Sequence, residues 1–288
     1  MSGAAMTDPL VEIDWLASNL DRVKVLDATY VMPPDPTAVC RMFEQGHIPG
    51  ARLFEIDRVA DHASGLPHML PSAADLAEAL GRLGIGSKDT VVVYDRSSNH
   101  FSAPRVWKTL RAYGHDRCFV LNGGFQAWFA AGNTSESLRR DVEPVAYVPA
   151  TLLPRGFLSL AEMARLTQAG ARGTQIVDAR SSGRFQGTSP EPRAGLRSGH
   201  MPGARNLPFD ALTMADGRFA DAPTIRMLLE RAEVRPGDPA VATCGSGMTA
   251  CVLALAFARV GSDAAVYDGS WMEWGGHTDT PVMQGPAG

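Results

Sequence analysis

The chain has 288 residues, 45% apolar and 20% charged, a globular composition that argues against a disordered chain. At roughly 100–200 residues per domain, its length points to two domains. A net charge of −4 and a pI near 6.0 leave no basic excess. No nucleic-acid or acidic-membrane surface is therefore expected, although one or two local arginines would suffice for a small anion.

Met1 to Leu10 contains Asp8, no basic residue and no apolar core, so no signal peptide is expected. The longest apolar run, Ala250 to Ala258, is far short of the roughly 18 residues a membrane span needs. Residues 23–27 predict a strand ending at Asp27, and 73–83 a helix. A strand at 90–94 leads into Asp95, a helix follows at 103–113, and a further strand lies at 118–121. Ser137 to Pro154 is charged and carries Pro144, Pro149 and Pro154, so it reads as a connection. This gives a first domain at 1–140, a linker at 141–154 and a second domain at 155–288. Strands are predicted at 175–178, 240–243 and 264–267, with helices at 224–232, through Ile225, Leu228 and Leu229, and at 249–260. Strand–helix alternation implies an α/β fold in which each domain has a mostly parallel sheet flanked by helices. Functional groups are expected at the carboxyl ends of the strands, where Asp27, Asp95, Asp178 and Cys244 stand.

The two halves repeat one plan. Val25-Leu-Asp-Ala-Thr29 pairs with Ile176-Val-Asp-Ala-Arg180, and Gly46-His-Ile-Pro-Gly-Ala-Arg52 with Gly199-His-Met-Pro-Gly-Ala-Arg205. Val91-Val-Val-Tyr-Asp95 pairs with Ala240-Val-Ala-Thr-Cys244, and Leu121-Asn-Gly-Gly-Phe-Gln-Ala-Trp128 with Tyr267-Asp-Gly-Ser-Trp-Met-Glu-Trp274. Four collinear matches at offsets of 151, 153, 149 and 146 residues indicate a duplication with small insertions. His47 and His200, both preceding Ile/Met-Pro-Gly, read as turn-forming.

Cys40, Cys118, Cys244 and Cys251 are too few for a disulfide framework and lack zinc spacing, so no metal is expected. They read as reduced thiols of a cytoplasmic protein. Cys244 differs from the others because it ends a strand and opens the loop Cys244-Gly-Ser-Gly-Met-Thr249 before a helix. Gly245 and Gly247 permit close backbone approach, and successive N–H groups can form an anion nest. With the positive end of the helix, this favours a reactive thiolate. The alternative is a buried Cys in an ordinary turn. Cys251, inside the apolar helix, reads as packing.

These residues resemble the tandem-domain rhodanese-like sulfurtransferases, over about residues 10 to 275. The Cys244–Ala250 loop looks like that of the branch using 3-mercaptopyruvate. Gly199-His-Met-Pro-Gly-Ala204, Asp178-Ala-Arg180 and Tyr267–Trp274 add to the match. Met248 departs from the valine usual in the family. The resemblance implies transfer of a sulfane sulfur through a Cys244 persulfide to a thiol such as thioredoxin or glutathione, or to cyanide, with no cofactor. It also implies a silent first domain, because Asp95 stands at the Cys position and a carboxylate cannot form a persulfide. By the same resemblance Arg184 and Arg193, nine residues apart, bind the donor carboxylate, and Ser246, His68 and Asp57 form a proposed catalytic group. Taken by themselves, the two arginines read rather as loop charges or partners of Glu191, and His68 reads as well as a locally bonded loop residue. Asp178 and Arg180 read as holding the loops, and Trp271 and Trp274 as core or pocket wall.

Three competing readings follow. A thiosulfate sulfurtransferase would use the same persulfide, but the uncharged Gly245 and Ser246 disfavour a sulfonate. A Cys-dependent phosphatase needs Arg six residues after the Cys, where this chain has Ala250. A sulfur-carrier or interaction module without catalysis is the third.

Overall fold

The computed structural model describes residues 8–137, 139–168 and 173–287. Most of the N-terminal stretch considered for a leader therefore lies outside the described residues. The chain separates into two compact units. The first comprises Leu10–Arg155 and Thr213–Phe219. The second comprises Gly156–Leu212, Ala220–Gly288 and the N-terminal segment ending at Pro9. No helix among the described residues is long and apolar enough to cross a membrane.

The first unit contains β1 (Leu10–Val11), β2 (Lys24–Asp27), β3 (Arg52–Leu53), β4 (Val91–Tyr94) and β5 (Cys118–Leu121), in the order β1-β5-β4-β2-β3. The second contains β6 (Phe157–Leu158), β7 (Gln175–Asp178), β8 (Ala204–Asn206), β9 (Ala240–Thr243) and β10 (Ala265–Tyr267), in the order β6-β10-β9-β7-β8. Every pairing is parallel, and the two orders are the same topology. The duplication seen in the sequence is thus a duplication of the fold. β4 and β9 are fully buried, which explains their uninterrupted apolar runs.

The helices follow their patterns with small shifts at the ends. Helix Ala73–Arg82 starts after Ser72, whose hydroxyl accepts the Asp75 N–H at 3.1 Å. Helix Ala222–Arg231 begins two residues before the apolar spacing does. Asp221 caps it through the Thr224 N–H at 2.9 Å, and Pro223 fits the first turn. Helix Ala250–Arg259 is buried from Ala250 to Ala258, as expected for a helix apolar on all faces. Its counterpart is Ala103–Ala112.

Register brings the strand ends together. Asp27 pairs with Tyr94 and Asp178 with Thr243, so each strand-end aspartate lies beside the residue that precedes Asp95 or Cys244. His47 and His200 stack on Phe43 and Phe185 with centroids 3.8 and 3.9 Å apart. Each donates from Nδ1 to the carbonyl of the same phenylalanine, at 2.7 and 2.9 Å. This matching geometry accounts for their repetition in the two copies.

Gly124 makes a close approach that only glycine allows. Its φ is +58°, and a Cβ there would meet the Asp95 carbonyl oxygen at 2.5 Å. Gly124→Ala should lower stability by about 2 kcal/mol or more, combining left-handed strain with the clash. Gly50→Ala, also left-handed at φ +77° but with nothing near its Cβ position, should lose about 1 kcal/mol. Urea midpoints of the two variants measure the difference.

Candidate active site

Cys244 follows β9 directly, and its loop runs to Thr249 before helix Ala250–Arg259 begins. Gly247 is left-handed at φ +79°, the kind of conformation from which nests of N–H groups are built. Met248 is buried beneath the loop at 2% exposure. Ser246 is partly exposed and Thr249 is buried. Cys244 itself is 1% exposed.

The short helix Ser270–Trp274 supports this loop from below. The Trp271 N–H donates to the Cys244 carbonyl at 3.0 Å, and the Met272 N–H to the Gly245 carbonyl at 2.8 Å. Ser270 holds a left-handed φ of +49°, rare for a residue with a side chain. Its hydroxyl accepts the Cys244 N–H at 3.2 Å, donates to the Tyr267 carbonyl at 2.9 Å and lies 4.0 Å from the Cys244 sulfur. Sequence reading missed Ser270. The available signal was its alignment with Gly124, since a serine in a glycine position carries strain that needs a reason.

Arg184 lies over Gly245. A Cβ on that glycine would be 3.2 Å from the Arg184 Nη2. Glu191, whose side chain is 2% exposed, accepts from Arg184 Nη2 at 2.6 Å and from Arg180 Nη1 at 2.8 Å. Arg184 therefore meets the Cys244 loop and Glu191 together. Arg193 takes a different partner, with Nη1 against the Met272 sulfur. Among the described residues no carboxylate lies within ion-pair distance of Arg193.

Arg180 is fully buried. It binds the Asp178 carboxylate through Nε at 3.0 Å and Nη2 at 2.6 Å, and the Gly199 carbonyl at 2.7 Å, and lies 4.1 Å above the Trp271 ring. Burial opposes its charge, but Asp178 and Glu191 more than offset this and hold it firmly protonated. Trp271 and Trp274 are fully buried, donating from Nε1 to the Arg197 and Pro281 carbonyls at 2.9 Å each. Cys251 is buried in the helix, its thiol 3.3 Å from the Gly247 carbonyl.

The first unit brings Asp57 and His68 together. His68 Nδ1 bonds one Asp57 oxygen, and the Tyr30 hydroxyl donates to the other at 3.0 Å. Partial burial raises the Asp57 carboxyl, but the bonds from His68 and Tyr30 outweigh it and hold the group below the usual carboxylate range. The His68 ring meets Tyr30 edge-on at 4.8 Å, and Arg105 donates to the His68 carbonyl. Ser246, the third member of the expected group, belongs to the second unit.

At the position equivalent to Cys244, the Asp95 carboxylate accepts from the Ser97 N–H and hydroxyl at 2.9 and 2.5 Å, and from the Ser102 and Ala103 N–H groups at 2.9 and 2.7 Å. The loop and helix end of this unit thus hold a carboxylate that belongs to the chain itself.

The family described as Rhodanese-like domain matches residues 12–131 and 159–277. The chain is 41% identical over 282 residues to a 3-mercaptopyruvate sulfurtransferase of Rattus norvegicus, covering 95% of this chain and 94% of that one. It is 40% identical over 278 residues to a thiosulfate sulfurtransferase of Gallus gallus, covering 94% of each. Its fold superposes on SseA of Escherichia coli, described as a 3-mercaptopyruvate sulfotransferase, with a TM-score of 0.79 and 33% identity over 92% of this chain and 99% of that one.

Ser270→Ala leaves the Cys244 N–H without its acceptor. Stability should fall by about 1–2 kcal/mol, and alkylation of Cys244 by iodoacetamide should slow several-fold. Labelling kinetics resolved by peptide mass check the second effect.

Proposed function

The chain belongs to the rhodanese-like family, with two copies of the domain in tandem, and from that premise we propose that it transfers sulfane sulfur from 3-mercaptopyruvate through a Cys244 persulfide, releasing pyruvate. The observation that carries the choice of donor is Arg184 resting against the uncharged Gly245 of the Cys244 loop. With Nε and Nη2 held by Glu191, this guanidinium keeps Nη1 to donate to a carboxylate. Arg193, on the Met272 side of the same loop, is the second donor-binding residue of the proposal.

The chemistry runs in two steps. The Cys244 thiolate attacks the donor sulfur, the C–S bond breaks, and its electron pair passes into the pyruvate enolate. Protonation of the enolate gives pyruvate and leaves the persulfide. An acceptor thiolate then attacks the outer sulfur, forms its own persulfide and returns Cys244 as thiolate. Ser246 donates to the donor carbonyl oxygen as enolate charge develops. Asp57 and His68, hydrogen-bonded to each other, are assigned to proton transfer by the family resemblance alone. Gly245, Gly247, Met248 and Thr249 supply the loop backbone around the sulfur. The first unit is silent, consistent with Asp95 being saturated by its own loop.

Thioredoxin-like dithiols, glutathione and cyanide all fit as acceptors. A cytoplasmic, reducing location is part of the proposal, supported by four cysteines that are all unbridged. Thiosulfate as the better donor is the second reading, favoured by the 40% identity to the chicken thiosulfate sulfurtransferase.

Cys244→Ser should reduce pyruvate release by about 10³-fold or more. Wild-type protein treated with mercaptopyruvate should carry an adduct of about 32 Da, one sulfur atom, on the Cys244 peptide. Full pyruvate release by Cys244→Ser overturns the mechanism, and a higher kcat/KM for thiosulfate overturns the choice of donor. Arg193→Gln should raise KM for mercaptopyruvate about tenfold, the loss expected for one charge-assisted bond.

A further inference from the structure

We propose that Glu191 sets the donor selectivity of the Cys244 site: by neutralising Arg184 it leaves the loop facing one uncompensated arginine, Arg193, and so matches a singly charged sulfur donor over a doubly charged one. The proposal rests on the reading of Cys244 as the sulfur-accepting nucleophile.

Glu191 is not needed to neutralise Arg180. Asp178 already binds that guanidinium through two nitrogens, at 3.0 and 2.6 Å, in a fully buried pair. Glu191 adds a second carboxylate to the same cluster, and the second arginine it meets is Arg184. Two aspartate or glutamate charges therefore balance two arginine charges. Only Arg184 of this set reaches partial exposure, 25%, and it does so against Gly245. Its Nε and Nη2 face Glu191, at 3.3 and 2.6 Å. Arg193 has the Met272 sulfur as its contact, and Met272 in turn donates its N–H to the Gly245 carbonyl. Arg184 thus meets the loop directly with its charge cancelled, and Arg193 is linked to the same turn through Met272 with its charge uncancelled.

Mercaptopyruvate carries one carboxylate charge at neutral pH, and thiosulfate carries two. Coulomb energy scales with the product of the charges. The arginines and carboxylates leave one net positive charge, which the attacking Cys244 thiolate offsets, so the site offers no surplus to the second negative charge of thiosulfate. Removing the Glu191 charge therefore favours the dianion about twice as strongly, in free energy, as the monoanion. A role limited to holding Arg184 in place would instead change both donors together.

The test compares Glu191→Gln with Glu191→Asp, measuring kcat and KM for both donors. For Glu191→Gln the thiosulfate-to-mercaptopyruvate ratio of kcat/KM should rise about tenfold or more, chiefly through a lower KM for thiosulfate. Glu191→Asp keeps the charge, so the ratio should stay near that of the wild type even where both activities fall. An unchanged ratio in Glu191→Gln, or an equal shift in Glu191→Asp, overturns the proposal. If Glu191→Gln does not fold, competition on wild-type protein decides. Pyruvate, a monoanion of the same shape, should inhibit at lower concentration than sulfate, and sulfate as the tighter inhibitor overturns the proposal. Failure of the underlying reading has a separate signature, a wild type that forms no Cys244 adduct and releases no pyruvate.

Discussion

The site is built on the buried ion chain Asp178–Arg180–Glu191–Arg184. Its first member ends β7 and is paired in register with Thr243, the residue before Cys244. Its second lies 4.1 Å above Trp271, whose N–H holds the Cys244 carbonyl. Its last rests on Gly245. A buried charge with one partner removed is destabilising by about 3–5 kcal/mol, so each member is held by the one before it. The chain carries position from the sheet, which is rigid, to the loop proposed to do the chemistry. A loop set by sequence-local bonds alone would lack that anchor.

The first unit solves the same packing problem with different residues. Thr29 stands where the second unit has Arg180, so the buried Asp27 lacks an arginine from its own strand end. Arg96 supplies it from the loop that follows Asp95. Its guanidinium binds the Asp27 carboxylate at 3.3 Å and the Gly46 carbonyl, and lies 4.1 Å over the Phe125 ring. Arg180 meets the equivalent three partners, Asp178, Gly199 and Trp271. The cavity beside the strand-end aspartate needs a cation, and the fold accepts one from either side. Supply from Arg180 leaves the position after Cys244 free to be Gly245, and that freedom lets Arg184 approach the loop.

The strands at 175–178 and 118–121 and the helix at 73–82 were legible because their apolar periods are long enough to count. The two-residue strands Leu10–Val11, Arg52–Leu53 and Phe157–Leu158 were not, since two residues have no period and their pairing comes from the rest of the sheet. Helices Pro36–Gln45 and Leu160–Gln168 also went unpredicted, although Asp35 before Pro36 is a cap signal visible in the sequence. Cys244 could be chosen because a strand, a glycine loop and a helix are contiguous in the chain. Glu191 was legible as an alternative partner of the two arginines and does hold Arg184, but spacing does not say that it turns inward and is shared with Arg180, or that Arg193 meets Met272 from 79 residues away. The role of Ser270 was hidden in a left-handed turn whose equivalent residue is glycine.

The burial of Cys244 bears on both half-reactions. At 1% exposure Cys244 is shielded from water, so the bonds that Ser270 and Trp271 make to its backbone lie where polar interactions are stronger than in solvent. A donor must therefore be small and must bring its sulfur inward, a condition a three-carbon acid meets. In the proposed persulfide the reactive atom is no longer the Cys244 sulfur but the one attached to it. An acceptor then needs to reach only that outer atom, so a larger thiol can complete the second step without entering the space that admitted the donor. On the proposed chemistry, the depth of this one sulfur favours strict selection of the donor and looser selection of the acceptor.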